Sequence, residues 1–427
     1  MQTTEFRTLM ISSRQWKDTM KLKTQLYMSL LCLGVLFAEQ QASAQSISES
    51  SSEAQNSNER ILWNPQRKLP KADELETVKN VEFSVIKRHE PDVDGGYGFL
   101  HGVALCWHKG KLYVSFGHNK GPENTAEEEA RGRISTDGGK TWGDVFTIDH
   151  GDEPNLAVSH GVFLSVNGRL WAFHGAFQGH LQSTHTRAYV LNETTNEWEK
   201  KGIVAREGFW STQEPIKMED GNWIMAGMSV PNDFRQGKVP AAVAISHGDD
   251  LTRWDVVILK DEIRPEEKIW GESTVIVNGW RVINISRFGS RAIGLMATSD
   301  DYGRTWNSLI PSNLPMVTSK PYAGTLSNGQ NYLVCTTTAN TGGRRAPLTI
   351  AVSRPGEEFF SKVFKIRDAV MSEGNTDSHP RGNLSYPYAI EENGKLYIGY
   401  SNNGGRQGAN INSAELAIIP VSDLRVD

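Results

Sequence analysis

The chain has 427 residues and a formal net charge of -5, with 38% hydrophobic and 22% charged residues. That composition suits a globular protein and excludes a multi-span membrane protein; with no block of basic residues it also excludes an electrostatic nucleic-acid binder. An anionic ligand would have to be held by locally placed arginines.

From Met20 the sequence reads Met-Lys-Leu-Lys, then an apolar run from Leu26 to Phe37, then Ala42-Ser43-Ala44. These are the charge, apolar length and small-residue site of a secretory signal peptide, with cleavage expected after Ala44. The run is well short of the ~20 residues that a spanning helix needs. Residues 1–44 therefore read as a leader, and the protein as exported to the periplasm or beyond, with no integral membrane span after processing. Residues 45–60 are rich in Ser, Glu and Asn with almost nothing to bury, and read as a disordered linker. Residues 61–427 remain for the folded domain. Cys32 lies in the leader, and Cys106 and Cys335 lie in apolar strand-like runs, so neither a disulfide framework nor a zinc spacing is present.

Repeats decide the architecture. Ser135-Thr-Asp137-Gly-Gly139-Lys-Thr141-Trp142 recurs as Ser299-Asp-Asp301-Tyr-Gly303-Arg-Thr305-Trp306. Degenerate copies start at Asn192, Ser246 and Ser353, so the starting positions 135, 192, 246, 299 and 353 step by 57, 54, 53 and 54. Each box reads as a turn between antiparallel strands: the Asp accepts backbone N–H groups, a Gly supplies positive φ, and the Trp plugs against a neighbour. Asp137 and Asp301 are thus structural. Ahead of each box lies an apolar strand, a turn such as Val166-Asn-Gly168 or Glu392-Asn-Gly394, and a second apolar strand. Six such units predict an all-β fold, a six-bladed β-propeller of four-stranded antiparallel blades. The last unit ends at Ser413–Ile419 without an outer strand, and Val81–Ile86 is a spare strand of the right length to close the ring.

In a propeller the innermost strands crowd one axis. The first strands here open with His101, His160, Glu214, Glu272, Lys320 and Tyr386, a convergent set of ionisable types. Each could equally be an ordinary polar residue at a strand start. Trp210 and Trp270 could stack on a sugar face or fill blade cores.

The boxes at Ser135 and Ser299 resemble the Asp-box repeats of the sialidase, or neuraminidase, superfamily, and the resemblance runs over about residues 80 to 424. It implies three arginines clamping a substrate carboxylate, a tyrosine nucleophile activated by a glutamate, and an aspartate as acid/base. Glu272 and Arg287 resemble the family's glutamate and second arginine. Arg345 resembles the third arginine, with Arg344 as rival, and Tyr386 resembles the nucleophile, with Tyr388 as rival. Two positions depart from the pattern. Histidine at 101 stands where the first arginine is expected, and the segment His118–Arg131 carries glutamates and no aspartate.

His101, His118, His160 and His174 fall at matching positions of the first two blades and suggest a different chemistry. His and Tyr are suitable acid/base groups for β-elimination from a uronate whose carboxylate an arginine neutralises. The expectation is a carbohydrate-active enzyme that cleaves a terminal acidic sugar by sialidase-like hydrolysis, with Tyr386, Glu272, His101 and His160 catalytic. Arg287, Arg345, His118, His174, Glu214 and Lys320 are expected to bind an acidic oligosaccharide. A propeller lyase acting on a rhamnosyl-glucuronate type of end and a non-catalytic sugar-binding propeller are the alternatives. No cofactor is called for, and an axial calcium is left open.

Overall fold

A computed structural model describes residues 60–427 except 235–237 and 373. The leader and linker expected over residues 1–60 lie outside the described residues except for Arg60, which is not free linker but bridges Ser312. The described residues from Arg60 to Asp427 form one compact unit, built as six sheets around a central axis.

From the axis outward, blade one runs Phe99–His108, Lys111–Asn119, Glu129–Ser135 and Phe146–Asp149. Blade two runs Leu156–Val166, Arg169–Gln178, Gln182–Asn192 and Glu197–Ala205. Blade four runs Ile269–Asn278, Arg281–Phe288, Ile293–Ser299 and Ile310–Pro315. In blade three the inner strand is broken into Phe209–Ser211 and Ile216–Lys217, both paired with Trp223–Ser229, with Ala241–His247 and Asp250–Ile258 outside. Blade five holds Tyr322–Thr325, Asn331–Cys335, Leu348–Val352 and Lys362–Arg367. Blade six holds Leu384–Glu392, Lys395–Asn402 and Ser413–Pro420, and its outer strand is the early segment Glu82–Lys87, antiparallel to Ser413–Pro420.

The near-continuous apolar runs follow from blades being covered on both faces. Side chains alternate along a strand with period two, so Ile283 and Ile285 pack with Ala323 and Leu333 of blade five. Val282, one position earlier and so on the opposite face, packs with Ile224 and Val243 of blade three. Hairpins close where sequence supplies left-handed residues: Asn167 and Gly168 have φ of 51° and 71°, and Asn393 and Gly394 have 51° and 72°, the requirement of a type I′ turn. Both intact boxes form the same turn. Asp137 Oδ1 accepts the Lys140 and Thr141 amides at 3.1 and 2.9 Å, and Asp301 Oδ1 accepts those of Arg304 and Thr305 at 3.1 and 2.8 Å.

The segment before the closing strand also laces the ring. Arg60 bridges Ser312 of blade four, Trp63 bridges Phe360, and Glu76–Thr77 pairs in parallel with Lys362–Arg367 of blade five. Among the described residues no helix is long and apolar enough to cross a membrane.

Candidate functional site

Four inner strands lose their regular register at the same end of the ring. The shifts fall between His101 and Ala104, Val158 and Gly161, Ile269 and Ser273, and Ser385 and Tyr388. A bulge re-aims side chains that the pleat would otherwise alternate, and here it turns His101, His160, Glu272 and Tyr386 into one cavity of about 250 Å³. Tyr386 pays for this with a left-handed backbone, φ 53°, a conformation that costs a non-glycine residue roughly 1–3 kcal/mol. Gly102 is needed for close approach: a Cβ there would lie 2.2 Å from His160 Cγ.

Tyr386 donates its hydroxyl to Glu272 Oε1. Arg287 Nη1 donates to both Glu272 oxygens at 2.9 and 3.0 Å and to the Tyr386 hydroxyl at 3.2 Å. Burial works against the Arg287 charge, but Glu272 and then Tyr386 outweigh it and raise the group overall. Burial first and Glu272 second push the Tyr386 phenol well up, so it is protonated near neutral pH. Arg345 differs from Arg287. Its Nη2 donates to the Thr318 carbonyl at 2.9 Å, it forms no ion pair within 4 Å among the described residues, and burial and the Arg287 charge lower it. Thr318 joins the two arginines, since its hydroxyl accepts Arg287 Nε at 3.0 Å. Arg344 instead reaches the Pro380 carbonyl outside the cavity.

His101 lies against Tyr386, ring centres 3.8 Å apart. Burial, then His160, Arg345 and Arg287, hold its pKa well below the ordinary range. Asn412 Nδ2, anchored on the Leu100 carbonyl at 2.7 Å, donates to His101 Nδ1 at 3.1 Å. Nδ1 is therefore the acceptor and Nε2 carries the hydrogen. That Nε2 is buried without a partner, as is Nε2 of His160. The first clamp position thus holds a neutral donor.

Sequence reasoning missed Glu123, Thr318, Asn410 and Asn412. Glu123 lines the cavity from the loop after the second strand of blade one, within the segment set aside for lacking an aspartate. Burial raises its carboxyl, an Asn410 hydrogen bond opposes this, and Glu272 raises it further. Its signal was in the sequence: glutamate offers the same carboxyl one methylene further out. The opposite wall is apolar, with Leu181, Trp210, Met228, Val230, Val239 and Trp270.

Four expected ligand-binding residues are placed away from the cavity lining. His118 sits between Asp94 at 3.4 Å and Arg131 at 3.1 Å, in a polar cluster beside the loop before blade one. His174 is fully buried behind the inner strand, its Nδ1 on the Ser159 carbonyl at 2.8 Å. Glu214 accepts the Tyr322 hydroxyl at 2.7 Å in the gap between the two parts of the blade-three inner strand. Lys320 is buried beneath the site, with Nζ on the Pro387 carbonyl at 2.9 Å and burial lowering its pKa to about 8. Its contact with Pro387 holds the residue after the left-handed Tyr386, a supporting role. Cys106 and Cys335 are buried free thiols.

The fold and this cavity define a six-bladed propeller with arginines, a tyrosine–glutamate pair and a further carboxyl gathered on its axis. Residues 123–398, well over half of the chain, match the BNR repeat-like domain, and the chain belongs to that family. Solved structures with the same fold include a Hadza microbial sialidase, 14% identical, TM-score 0.60, covering 80% of this chain and 68% of that one. NanB sialidase from Streptococcus pneumoniae is 9% identical with TM-score 0.61, covering 80% and 71%. Trypanosoma rangeli sialidase is 12% identical with TM-score 0.57, covering 84% and 60%. A protein of unknown function from Dyadobacter fermentans, 13% identical with TM-score 0.59, covers 80% of this chain and 99% of that one. A search of the curated proteins finds no match.

Proposed function

We propose that the protein is an exo-glycosidase that releases a terminal, carboxylate-bearing sugar from a glycan. Arg345 carries this reading: a guanidinium at the cavity, beside Arg287 and without a carboxylate of its own, calls for an anion from the ligand. With the carboxylate held there, Tyr386 oxygen attacks the anomeric carbon while its proton passes to Glu272. Glu123 protonates the departing glycosidic oxygen. Water then attacks the glycosyl–tyrosine with Glu123 as base, and Glu272 returns the proton to Tyr386. A neutral phenol suits an anionic sugar because a carboxylate nucleophile would repel it. We also propose export, on the charged, apolar and small-residue segments of Met20 to Ala44.

One observation favours a second reading, elimination from a uronate: His101, His160 and Tyr386 form a cluster in which two imidazole Nε2 atoms await a partner. A screen of sialosides and uronate-capped glycans with product masses separates the two. Released sugar one water heavier than the eliminated product supports hydrolysis. An unsaturated uronate absorbing in the ultraviolet supports the lyase, and binding without product leaves a sugar-binding propeller.

A further inference from the structure

Glu128 is fully buried just before the third strand of blade one, and no cation pairs with it among the described residues. Its Oε1 meets the Ser159 hydroxyl, and the same hydroxyl lies 3.1 Å from His160 Nδ1. Its Oε2 accepts the Asn124 amide at 3.0 Å, next to Glu123. Residue 117 must be glycine for this to fit, since a Cβ there would lie 2.7 Å from Glu128 Oε1 and 2.9 Å from Ser159 Oγ. The chain Glu128–Ser159–His160 therefore runs from a closed interior to an unpartnered nitrogen at the cavity.

A hydroxyl has one hydrogen to give, so the chain has two self-consistent settings. When Glu128 is protonated it donates to Ser159, Ser159 donates to His160 Nδ1, and the His160 hydrogen sits on Nε2, facing the ligand as a donor. When Glu128 is ionised it accepts from Ser159, Ser159 accepts from His160 Nδ1–H, and Nε2 faces the ligand as a bare acceptor. We propose that Glu128 is a positioning residue which, through Ser159, sets the tautomer of His160 and thereby makes the cavity select an acceptor oxygen of the sugar, a hydroxyl or carbonyl, at that point.

The groups around the chain favour the first setting near neutrality. Burial raises Glu128 to about 8 despite the Ser159 bond, and Glu123 across the loop adds to it when ionised. His160 faces Lys320 and His174, and burial followed by those two charges lowers it to about 3, so the imidazolium form does not intervene. Glutamine at 128 would lock the same setting. The Asn124 N–H requires the amide oxygen on its side, which leaves the amide NH2 donating to Ser159.

The inference rests on the acidic-sugar reading for the identity of the ligand, not for the tautomer. Histidine 15N NMR on the whole protein, titrated from about pH 6 to 9.5, tests it without activity. In the wild type the His160 hydrogen should move from Nε2 to Nδ1 around pH 8, whereas Glu128→Gln should keep it on Nε2 throughout and Ser159→Ala should remove the transition. A wild-type His160 that keeps one tautomer over that range overturns the proposal, as does a transition that survives in Ser159→Ala. An intact transition in a protein that releases no acidic sugar would overturn the functional reading alone.

Discussion

Tyr386 and Glu272, 114 residues apart, meet across the axis, the phenol of blade six donating to the carboxylate of blade four while Arg287 bonds both. The two members of the pair should fail in different ways. Tyr386→Phe removes one hydroxyl and leaves the Glu272–Arg287 ion pair, so the melting temperature should stay within a few degrees while turnover falls by at least ~10³-fold. Glu272→Gln takes the carboxylate from a buried arginine, and breaking such a pair costs about 3–5 kcal/mol. Thermal melts beside kcat for both variants check this. Equal stability losses would place the tyrosine in the scaffold.

Arg345 should be the residue on which ligand charge is read. A charge-assisted hydrogen bond is worth about 1.5–3 kcal/mol, so Arg345→Met should weaken binding of an acidic sugar by roughly 10- to 150-fold. It should leave the binding of the reduced, uncharged alcohol analogue almost unchanged. Calorimetry with the two ligands measures the difference. Equal losses for both would assign Arg345 to shape rather than charge.

Glu123 must be protonated to donate in the first step, and burial and Glu272 raise its carboxyl. Activity should therefore fall as pH rises through a value above the usual glutamate range. Glu123→Gln should lose ~10²–10⁴-fold in turnover and lose that alkaline limb with it. A leaving group that needs no protonation, such as a nitrophenol, should recover most of the rate. A pH–rate profile that keeps the same alkaline limb in the variant would assign the limb to another group.

The buried histidines predict sensitivity to acid. Burial depresses His101, His118, His160 and His174 in the fold, whereas the unfolded chain takes up protons near pH 6.5. Their stabilising contribution is whole above that value and is lost as pH falls below it, by up to about 1.4 kcal/mol per pH unit for each histidine. Urea melts between pH 7 and 5 should show a steep decline, shallower in His174→Phe. A flat profile would mean that the histidines are protonated in the folded state.

The architecture was legible in the sequence because propeller blades repeat: a turn that recurs at a near-constant spacing reports the ring, and the missing outer strand of the last unit reports its closure by Glu82–Lys87. Phase along the inner strands also brought His101, His160, Glu272 and Tyr386 to one cavity. It misjudged Glu214 and Lys320, because the broken blade-three strand and the short blade-five strand do not carry the bulge that re-aims the other four. Thr318 and Asn412 act through contacts between residues 27 and 311 positions apart, and no local pattern announces such pairs. His118 and His174 share the phase of a site residue but lie on second strands, one layer out from the axis.

Ring closure gives the remaining prediction. Glu82–Lys87 fills the edge of Ser413–Pro420 and is latched to blade one as well: Arg133 Nη1 donates to the Ile86 carbonyl at 2.6 Å and Ser84 Oγ to the Gly139 carbonyl at 2.6 Å. Ile86 is fully buried, worth about 2 kcal/mol in apolar burial, and a vacated strand would expose a row of unpaired backbone groups ready to pair with another chain. A protein beginning at residue 90 should therefore melt well below the full chain and self-associate with rising concentration in sedimentation runs. The truncation also removes the contacts of Arg60, Trp63 and Glu76–Thr77 with blades four and five. A synthetic peptide spanning residues 80–89 should therefore recover part of the melting temperature and reduce the self-association, and the same peptide with Ile86→Asp should do neither. If the shortened protein stays monomeric with an unchanged melt, the seam between blades six and one holds without its outer strand.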